Sequence, residues 1–287
     1  MHIQHLNCGS INPPGGVALI GTGGPFTHAP GVTHCLLAET DDGLLLVDTG
    51  FGLLDCLTPK FFVWLMITVA GWPRDPEETA VRQVERLGYE PKDVHHIALT
   101  HFHYDHAGGL PDFPHAKVHI YQAEYEAVTQ PQDMYERYPY RREHWAHGPD
   151  WVVHPLAGDR WFDFDCTPLV DLGPVAFCFV PLTGHTRGHS AVALRLADGW
   201  LLHCGDAYTF HGEVDVQNPT PPPYQRTVRR LVNINRAMRP IGKHSPRLRA
   251  LLRAHGDEVQ LTCSHDPHEF DKFRTGLQSR HPSTGSG

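Results

Sequence analysis

The sequence predicts an α+β protein with two β-rich halves, and three features of the pattern support that class. Short apolar runs of strand length alternate with Gly, Pro and Asp turns in residues 1–50 and again in residues 161–203. Helical segments follow both β-rich parts. The 27 glycines and 25 prolines among 287 residues favour many turns over long helices. Because layered folds approaching this size can form one unit, we expect a single domain at 1–280 and a disordered tail or cloning remnant at 281–287.

Each predicted element depends on a local signal. The strands are apolar runs that end at turn residues, and they are expected at 2–8, 33–38, 43–47, 96–99, 117–121, 161–164, 175–180, 191–196, 200–203 and 259–263. The helices are expected at 76–87, 123–128, 225–238 and 245–255. The first begins at Asp75-Pro76-Glu77-Glu78, which supplies an N-cap, a first-turn proline and a capping-box glutamate, and it ends before Gly88. Residues 129–158, which lack a clear period, are expected to form a long ordered loop.

The longest apolar segment of the chain lies at 61–72. It is shorter than the roughly 20 residues that a membrane-spanning helix needs. It is hydrophobic nearly all round, which leaves two interpretations open. The segment is either a buried helix, or a lid, pocket wall or dimer contact.

The most informative stretch directly follows the predicted strand at 96–99. It reads T-H-F-H-Y-D-H and places His101, His103, Asp105 and His106 within six residues. His101 and His103 lie two apart, so their rings can converge on one side of an extended loop. Imidazole and carboxylate groups are ligands that zinc, iron, manganese and cobalt accept. The pattern therefore predicts a metal site rather than a loop that is merely rich in histidine.

Further ligand-type side chains follow other predicted strands, and each is a weak signal by itself. They are His185 and His189, Asp206, and either His265 or His268. Asp48 also ends a predicted strand, where it either caps a turn or orients a metal-bound histidine. Together these residues recur at strand ends, which is where α/β proteins place ligands.

Five motifs, in this order, resemble those of the metallo-β-lactamase superfamily. They are V-D-T-G at 47–50, T-H-x-H-x-D-H at 100–106, G-H-T-x-G-H at 184–189, G-D at 205–206 and S-H-D at 264–266. The resemblance implies an αβ/βα four-layer sandwich of two mixed β-sheets, with a metal site in the cleft between the sheets. It also implies a metal-dependent hydrolase.

Carried over motif by motif, the resemblance implies a site for two divalent metal ions. The implied ligands are His101, His103 and His185 for one ion, Asp105, His106 and His265 for the other, and Asp206 as the bridge. Asp48 would orient a metal-bound histidine without contacting the metal, and His189 would be structural. Zinc is the expected metal, with iron, manganese or cobalt as alternatives. Asp105 is the candidate proton shuttle, and Tyr208 is the candidate donor to the developing oxyanion.

Among the subgroups, the chain looks most like the N-acyl homoserine lactone lactonases and related esterases. This implies hydrolysis of a carboxylic ester or lactone by a metal-bridging hydroxide. Those lactonases place a tyrosine three residues after the bridging aspartate, whereas here Thr209 has that position and Tyr208 precedes it. Three alternatives stay open: a phosphodiesterase or other hydrolase of this fold, a diiron redox enzyme, and a non-catalytic binding protein.

The net charge and the cysteine content limit the expected partners and the expected location of the protein. The net charge of −8 argues against a nucleic-acid surface, which needs a basic face. Seven cysteines without a C-x-x-C pair predict reduced, buried thiols in a cytoplasmic protein. No signal peptide or membrane span is visible. We therefore expect a small-molecule ester or lactone as the partner, with a homodimer left open.

Overall fold

The computed structural model describes residues 3–13, 27–59, 64–65, 68, 71–132, 140–222 and 241–278. The strands are β1 (Ile3–Asn7), β2 (His34–Thr40), β3 (Gly43–Val47), β4 (Val94–Leu99), β5 (Lys117–Tyr121), β6 (Asp150–His154), β7 (Asp159–Trp161), β8 (Phe164–Cys166), β9 (Val170–Asp171), β10 (Ala176–Pro181), β11 (Ser190–Leu196), β12 (Gly199–His203) and β13 (Val259–Thr262). The α-helices are α1 (Leu53–Leu57), α2 (Ala80–Arg86), α3 (Tyr104–Ala107), α4 (Gln122–Thr129), α5 (Ser245–His255) and α6 (Pro267–Gln278). Within this part of the chain, no helix is long and apolar enough to cross a membrane.

The strands form two mixed sheets and one small hairpin. The six-stranded sheet has the order β1-β2-β3-β4-β5-β6, antiparallel at the β1 end and parallel from β3 to β6. The five-stranded sheet has the order β13-β12-β11-β10-β9. In that sheet β12 pairs parallel with β13, while β11 runs antiparallel to both β10 and β12. Consequently β10, β12 and β13 run in the same direction, and their C-terminal ends lie on the same side of the sheet.

Three layers of apolar side chains hold the sheets and helices together. Successive residues of a strand point to opposite faces, so Leu45 packs between the sheets against Phe177 and Phe179. Leu46 points the other way, into a cluster that contains Val84 of α2. On the far side of the second sheet, Leu248 and other α5 residues pack over another buried cluster. The order helix, sheet, sheet, helix confirms the predicted α+β four-layer sandwich.

Most predicted elements are present, and the differences have local causes. The helix predicted at 76–87 begins only at Ala80, because Thr79 is extended and Pro76–Glu78 form a separate 3-10 turn. The strand predicted at 161–164 is instead the β7–β8 hairpin, which turns at Phe162 with φ 48°.

Several elements lie where no regular structure was expected, including α1, α3 and β9. Strand β6 lies inside the predicted loop at 129–158 and pairs with β5. Helix α6 follows the last strand and begins at Pro267. The helix predicted at 225–238 and the tail at 281–287 lie outside the described residues, as does most of the 61–72 segment. That 1–280 form one domain stays a prediction.

Candidate metal centre

The predicted ligand residues meet where strands of both sheets end. His101 and His103 follow β4 of the first sheet. In the second sheet, His185 follows β10, Asp206 follows β12 and His265 follows β13. Because the last three strands end at the same edge, their following loops lie side by side. The fold thus brings together residues that are 160 positions apart in the chain, as the 3.6 Å between Asp105 Oδ2 and His265 Nε2 shows.

One group of nitrogens converges beside the first histidine pair. His103 Nδ1 lies 2.9 Å from His185 Nε2, and the rings of His101 and His185 have centroids 4.8 Å apart. Ligand atoms of these three histidines all lie within 4.8 Å of one another. Three imidazoles at this spacing can surround one metal ion.

A second group lies next to the first and includes two residues of the short helix α3. Its members are Asp105, His106 and His265, whose ligand atoms again lie within 4.8 Å of one another. His103 is the extended residue before α3, so the chain turns there and directs Asp105 and His106 to the second group. Asp105 has 21% of its side chain exposed, whereas His106 is fully buried.

Asp206 faces both groups with different oxygens. Its Oδ2 lies 3.2 Å from His185 Nε2 and 4.0 Å from His101 Nε2. Its Oδ1 lies 3.2 Å from His265 Nε2 and 3.3 Å from His106 Nε2. Gly205, with φ 53°, makes this placement feasible, because a Cβ there would meet His189 Nε2 at 2.7 Å.

The chemistry of these atoms fits a bound cation. His101 Nε2, His106 Nε2 and Asp206 Oδ1 are buried and find no hydrogen-bond partner among the residues that the structure describes. The 3.3 Å approach of His106 to Asp206 therefore lacks the alignment of a hydrogen bond. Buried polar atoms without partners are costly. A metal ion between imidazole and carboxylate ligands would satisfy all three.

Contacts at the far side of three rings, those of His101, His106 and His265, direct the other nitrogen of each ring into the site. Asp48 Oδ2 accepts from His106 Nδ1 at 2.8 Å, and the Val32 carbonyl accepts from His265 Nδ1 at 2.8 Å. The hydroxyl of Thr100 lies 3.1 Å from His101 Nδ1. Asp48 is itself held by the Thr100 amide and hydroxyl, both at 2.8 Å. Such outer contacts fix the ring orientation and leave Nε2 as the ligand atom.

Two other candidate histidines, His189 and His268, lie outside the cluster. His189 accepts from the Asp206 amide at 2.9 Å through Nε2, and its Nδ1 donates to the Leu182 carbonyl. Both of its ring nitrogens are therefore used within the protein. His268 lies in the first turn of α6, and its ring packs against that of His211 with a centroid distance of 4.3 Å.

Tyr208 does not join the cluster either. Its side chain is fully buried within the core beneath the second sheet. Its hydroxyl lies 3.0 Å from each carboxylate oxygen of Glu269. To donate to a substrate oxyanion, this hydroxyl would have to leave Glu269, so its catalytic role stays a prediction.

The electrostatic field of the cluster is negative and favours a cation. Burial lowers the pKa of His101 and His103 well below the ordinary value. Burial also opposes the charged form of His265, yet the Asp206 and Asp105 carboxylates raise its pKa to about 9. The same carboxylates raise the pKa of His106 well above its ordinary value against the effect of burial. A metal ion must displace those protons, so its binding is expected to release protons.

Sequence reasoning missed two buried glutamates that contact the ligand loops. Glu124 on α4 bonds to residues beside His101, His103 and His185. Glu269 on α6 bonds to Tyr208 and to the amide of Cys263, two residues before His265. Neither glutamate lies in a ligand motif, so no local signal marked them.

Comparison with known proteins places these features in context. A family model described as the metallo-beta-lactamase superfamily matches residues 28–234. A probable metallo-hydrolase of Mycobacterium tuberculosis is 41% identical over 272 residues, which cover 95% of this chain and 82% of that protein. An N-acyl homoserine lactonase of Bacillus thuringiensis is 28% identical over 213 residues, with 72% of this chain and 78% of that protein covered.

Solved structures are similar in fold. An N-acyl homoserine lactone hydrolase with the product N-hexanoyl-L-homoserine bound at its catalytic metal center has a TM-score of 0.64 and 20% identity. That match covers 94% of this chain and 95% of the other. A dizinc quorum-quenching lactonase has a TM-score of 0.58 and 16% identity, with 92% and 87% covered. At these identities the shared property is the fold.

Proposed function

The chain belongs to the metallo-β-lactamase superfamily and is a metal-dependent hydrolase, and from this premise we propose that it uses two divalent metal ions to hydrolyse a carboxylic ester or lactone. The observation that carries the proposal is the division of Asp206 between two groups of ligand atoms. Its Oδ2 faces His185 at 3.2 Å, while its Oδ1 faces His265 at 3.2 Å. A carboxylate placed in this way can bridge two ions.

The proposed ligand set follows from that division. His101, His103 and His185 would hold one ion, Asp105, His106 and His265 the second, and Asp206 both. This set is all imidazole and carboxylate, which suits zinc, and iron, manganese or cobalt are accepted by the same ligands. Metal analysis with an absorption spectrum of the purified protein would identify the native ion.

The reaction needs an activated water, an acyl carbon and a proton for the leaving alkoxide. A pair of divalent ions supplies a water of lowered pKa and polarises the acyl oxygen. Asp105 lies at the exposed side of the cluster, with Oδ2 3.6 Å from His265 Nε2. We infer that its carboxylate takes the proton of the attacking water and returns it to the alkoxide as the C–O bond breaks.

The substrate class is supported by the relatives and by the charge of the site. Relatives at 28% and 29% identity are named N-acyl homoserine lactonases, and a lactone is an internal ester. The carboxylates of Asp105, Asp206 and Asp48 surround the centre, and a neutral acyl substrate adds no further negative charge. All seven cysteines are buried free thiols, which supports a reducing compartment such as the cytoplasm.

The test combines a substrate panel with a matched pair of histidine variants. We expect faster turnover of a lactone or an aryl ester than of bis-p-nitrophenyl phosphate, and about two metal ions per chain. His265→Ala is expected to lose one ion and most activity, whereas His268→Ala keeps both, because only His265 approaches Asp206. Preferred turnover of the phosphodiester would contradict the reaction, and metal loss in His268→Ala alone would contradict the ligand set.

A further inference from the structure

We propose that Glu124 is a positioning residue that fixes the separation of the two histidine loops around the first metal ion. The two loops are residues 101–103, which carry His101 and His103, and residues 184–188, which carry His185. This inference rests on the proposed metal centre, because it assigns the loops a common ion. Glu124 itself is no ligand and lies on α4, outside the five motifs.

The carboxylate of Glu124 bonds to both loops at once. Its Oε1 accepts from the amide of Phe102 at 2.9 Å, between His101 and His103. Its Oε2 accepts from the Thr186 hydroxyl at 2.6 Å and from the Gly188 amide at 3.1 Å. Each oxygen therefore serves a different loop. The span between the two oxygens sets how far His103 can move from His185.

The backbone of α4 makes a second contact with the 184–188 loop. A Cβ at Gly188 would lie 1.9 Å from the Glu124 amide nitrogen, so only glycine permits this approach. Helix α4 directly follows β5, whose strand pairs with β4. The 184–188 loop is thus held against the same sheet whose β4 ends in His101 and His103.

Glutamate is suited to this position by charge and length. The side chain is fully buried, and burial raises the pKa of its carboxyl. Four donors oppose that effect, namely Phe102, Thr186, Gly188 and the Tyr140 hydroxyl at 3.3 Å. A glutamine would place an NH₂ group against the donors of one loop. It would therefore keep the hydrogen bonds to one loop and lose those to the other.

A merely structural glutamate and a positioning residue predict different results. If Glu124 only satisfies buried donors, its loss lowers stability and leaves metal affinity alone. If it sets the loop separation, its loss weakens the ion held by His101, His103 and His185. Outer contacts of metal ligands typically change affinity by about 10–100-fold.

The experiment compares Glu124→Gln with the control Glu213→Gln. Glu213 is also a buried glutamate that accepts backbone and hydroxyl hydrogen bonds, from Thr209 and Ser245, but it contacts neither loop. For each protein, zinc affinity is measured by competition with a chromophoric chelator, the Co²⁺ absorption spectrum is recorded, and urea unfolding is followed without metal. We expect Glu124→Gln to lower the affinity for one ion by about 10–100-fold and to alter the Co²⁺ spectrum. The control should match wild type in both.

The outcomes are separable. Wild-type affinity and spectrum in Glu124→Gln, with only the urea midpoint lowered, would overturn the proposal. Failure of wild-type protein to bind metal would overturn the proposed function instead. Should Glu124→Gln not fold, Thr186→Val removes only the 2.6 Å hydrogen bond. That variant must then weaken metal binding in the same direction, or the inference is wrong.

Discussion

Glu124 and Glu269 support opposite sides of the candidate metal centre, and the groups around them differ. Glu124 accepts hydrogen bonds from four donors beside the loops of His101, His103 and His185. Glu269 accepts from the Tyr208 hydroxyl and the Cys263 amide, on the side of Asp206 and His265. Burial and then the negative charge of Asp266 raise the pKa of Glu269 to about 7.

Two buried carboxylates in similar positions can therefore differ in their sensitivity to pH. A carboxylate with many donors tolerates burial as an anion. A carboxylate with fewer donors and an anionic neighbour takes up a proton near neutral pH. We therefore expect the support of the Asp206 and His265 loops to respond to pH more strongly than the support of the His101 and His185 loops.

The largest effect is expected when the Asp206 carboxylate, which both sides of the candidate metal centre share, is changed. In Asp206→Asn, one of the two oxygens is replaced by an NH₂ group, so one side of the centre loses its carboxylate contact. We expect bound metal to fall below that of wild type and kcat to fall by at least about 10³-fold, comparable to or larger than the loss of one strong electrostatic contact. Metal content and kcat are measured on the same preparation.

A matched control separates a local effect from general unfolding. Asp215→Asn changes an exposed aspartate that accepts hydrogen bonds from the nearby backbone amides of Gln217 and Asn218, and it should leave both quantities unchanged. Full metal content and near wild-type kcat in Asp206→Asn would show that Asp206 is no bridge. The two sides would then be independent of each other.

An intermediate effect is expected for the pH dependence of stability. The folded pKa of Glu269, about 7, lies above its ordinary value of 4.5. Between these values the folded protein binds more protons than the unfolded chain, so the stabilising effect of the proton is present below pH 4.5 and lost as pH rises through about 7. At about 1.4 kcal/mol for each pKa unit, wild type should lose about 3 kcal/mol relative to Glu269→Gln over this range.

Urea unfolding of both proteins at pH 5, 6, 7 and 8 measures that difference. Metal content is held equal, so that pH effects on metal binding cancel between the two proteins. The same comparison with Glu124→Gln should show a smaller slope, because four donors oppose the rise in its pKa. Equal slopes for the two glutamates would remove the contrast between the two sides.

The ligand positions could be predicted from the sequence because their signals are local. His101, His103, His185 and Asp206 each follow an apolar run that ends in a turn, and the structure brings these residues together at strand ends. The two glutamates could not be predicted in this way. Glu124 bonds to Thr186, 62 residues away, and Tyr208 bonds to Glu269, 61 residues away. Only the packing of helices against the loops creates those contacts.

The same contrast explains which secondary structure was missed. Helix α5 has an amphipathic pattern and was predicted with the bounds Ser245–His255. Strand β6 has only a short apolar run, and it exists because the neighbouring β5 offers a free edge for pairing. Helix α6 begins among histidines and aspartates, which in the sequence are typical of metal ligands rather than of a helix start. Its start is fixed by Asp266, whose Oδ1 accepts from the His268 amide at 2.8 Å.

The smallest effect is expected for Tyr208→Phe, which tests the Glu269 side without touching a ligand. The hydroxyl lies 3.0 Å from both carboxylate oxygens, and a buried hydrogen bond of this kind contributes about 1–2 kcal/mol. We expect the free energy of unfolding to fall by about that amount and kcat to stay within about threefold of wild type. Because the Tyr208 hydroxyl lowers the pKa of Glu269, its removal should also move the loss of stability to higher pH. A fall in kcat of about 10²–10³-fold at unchanged stability would instead show that the hydroxyl leaves Glu269 and donates to the substrate.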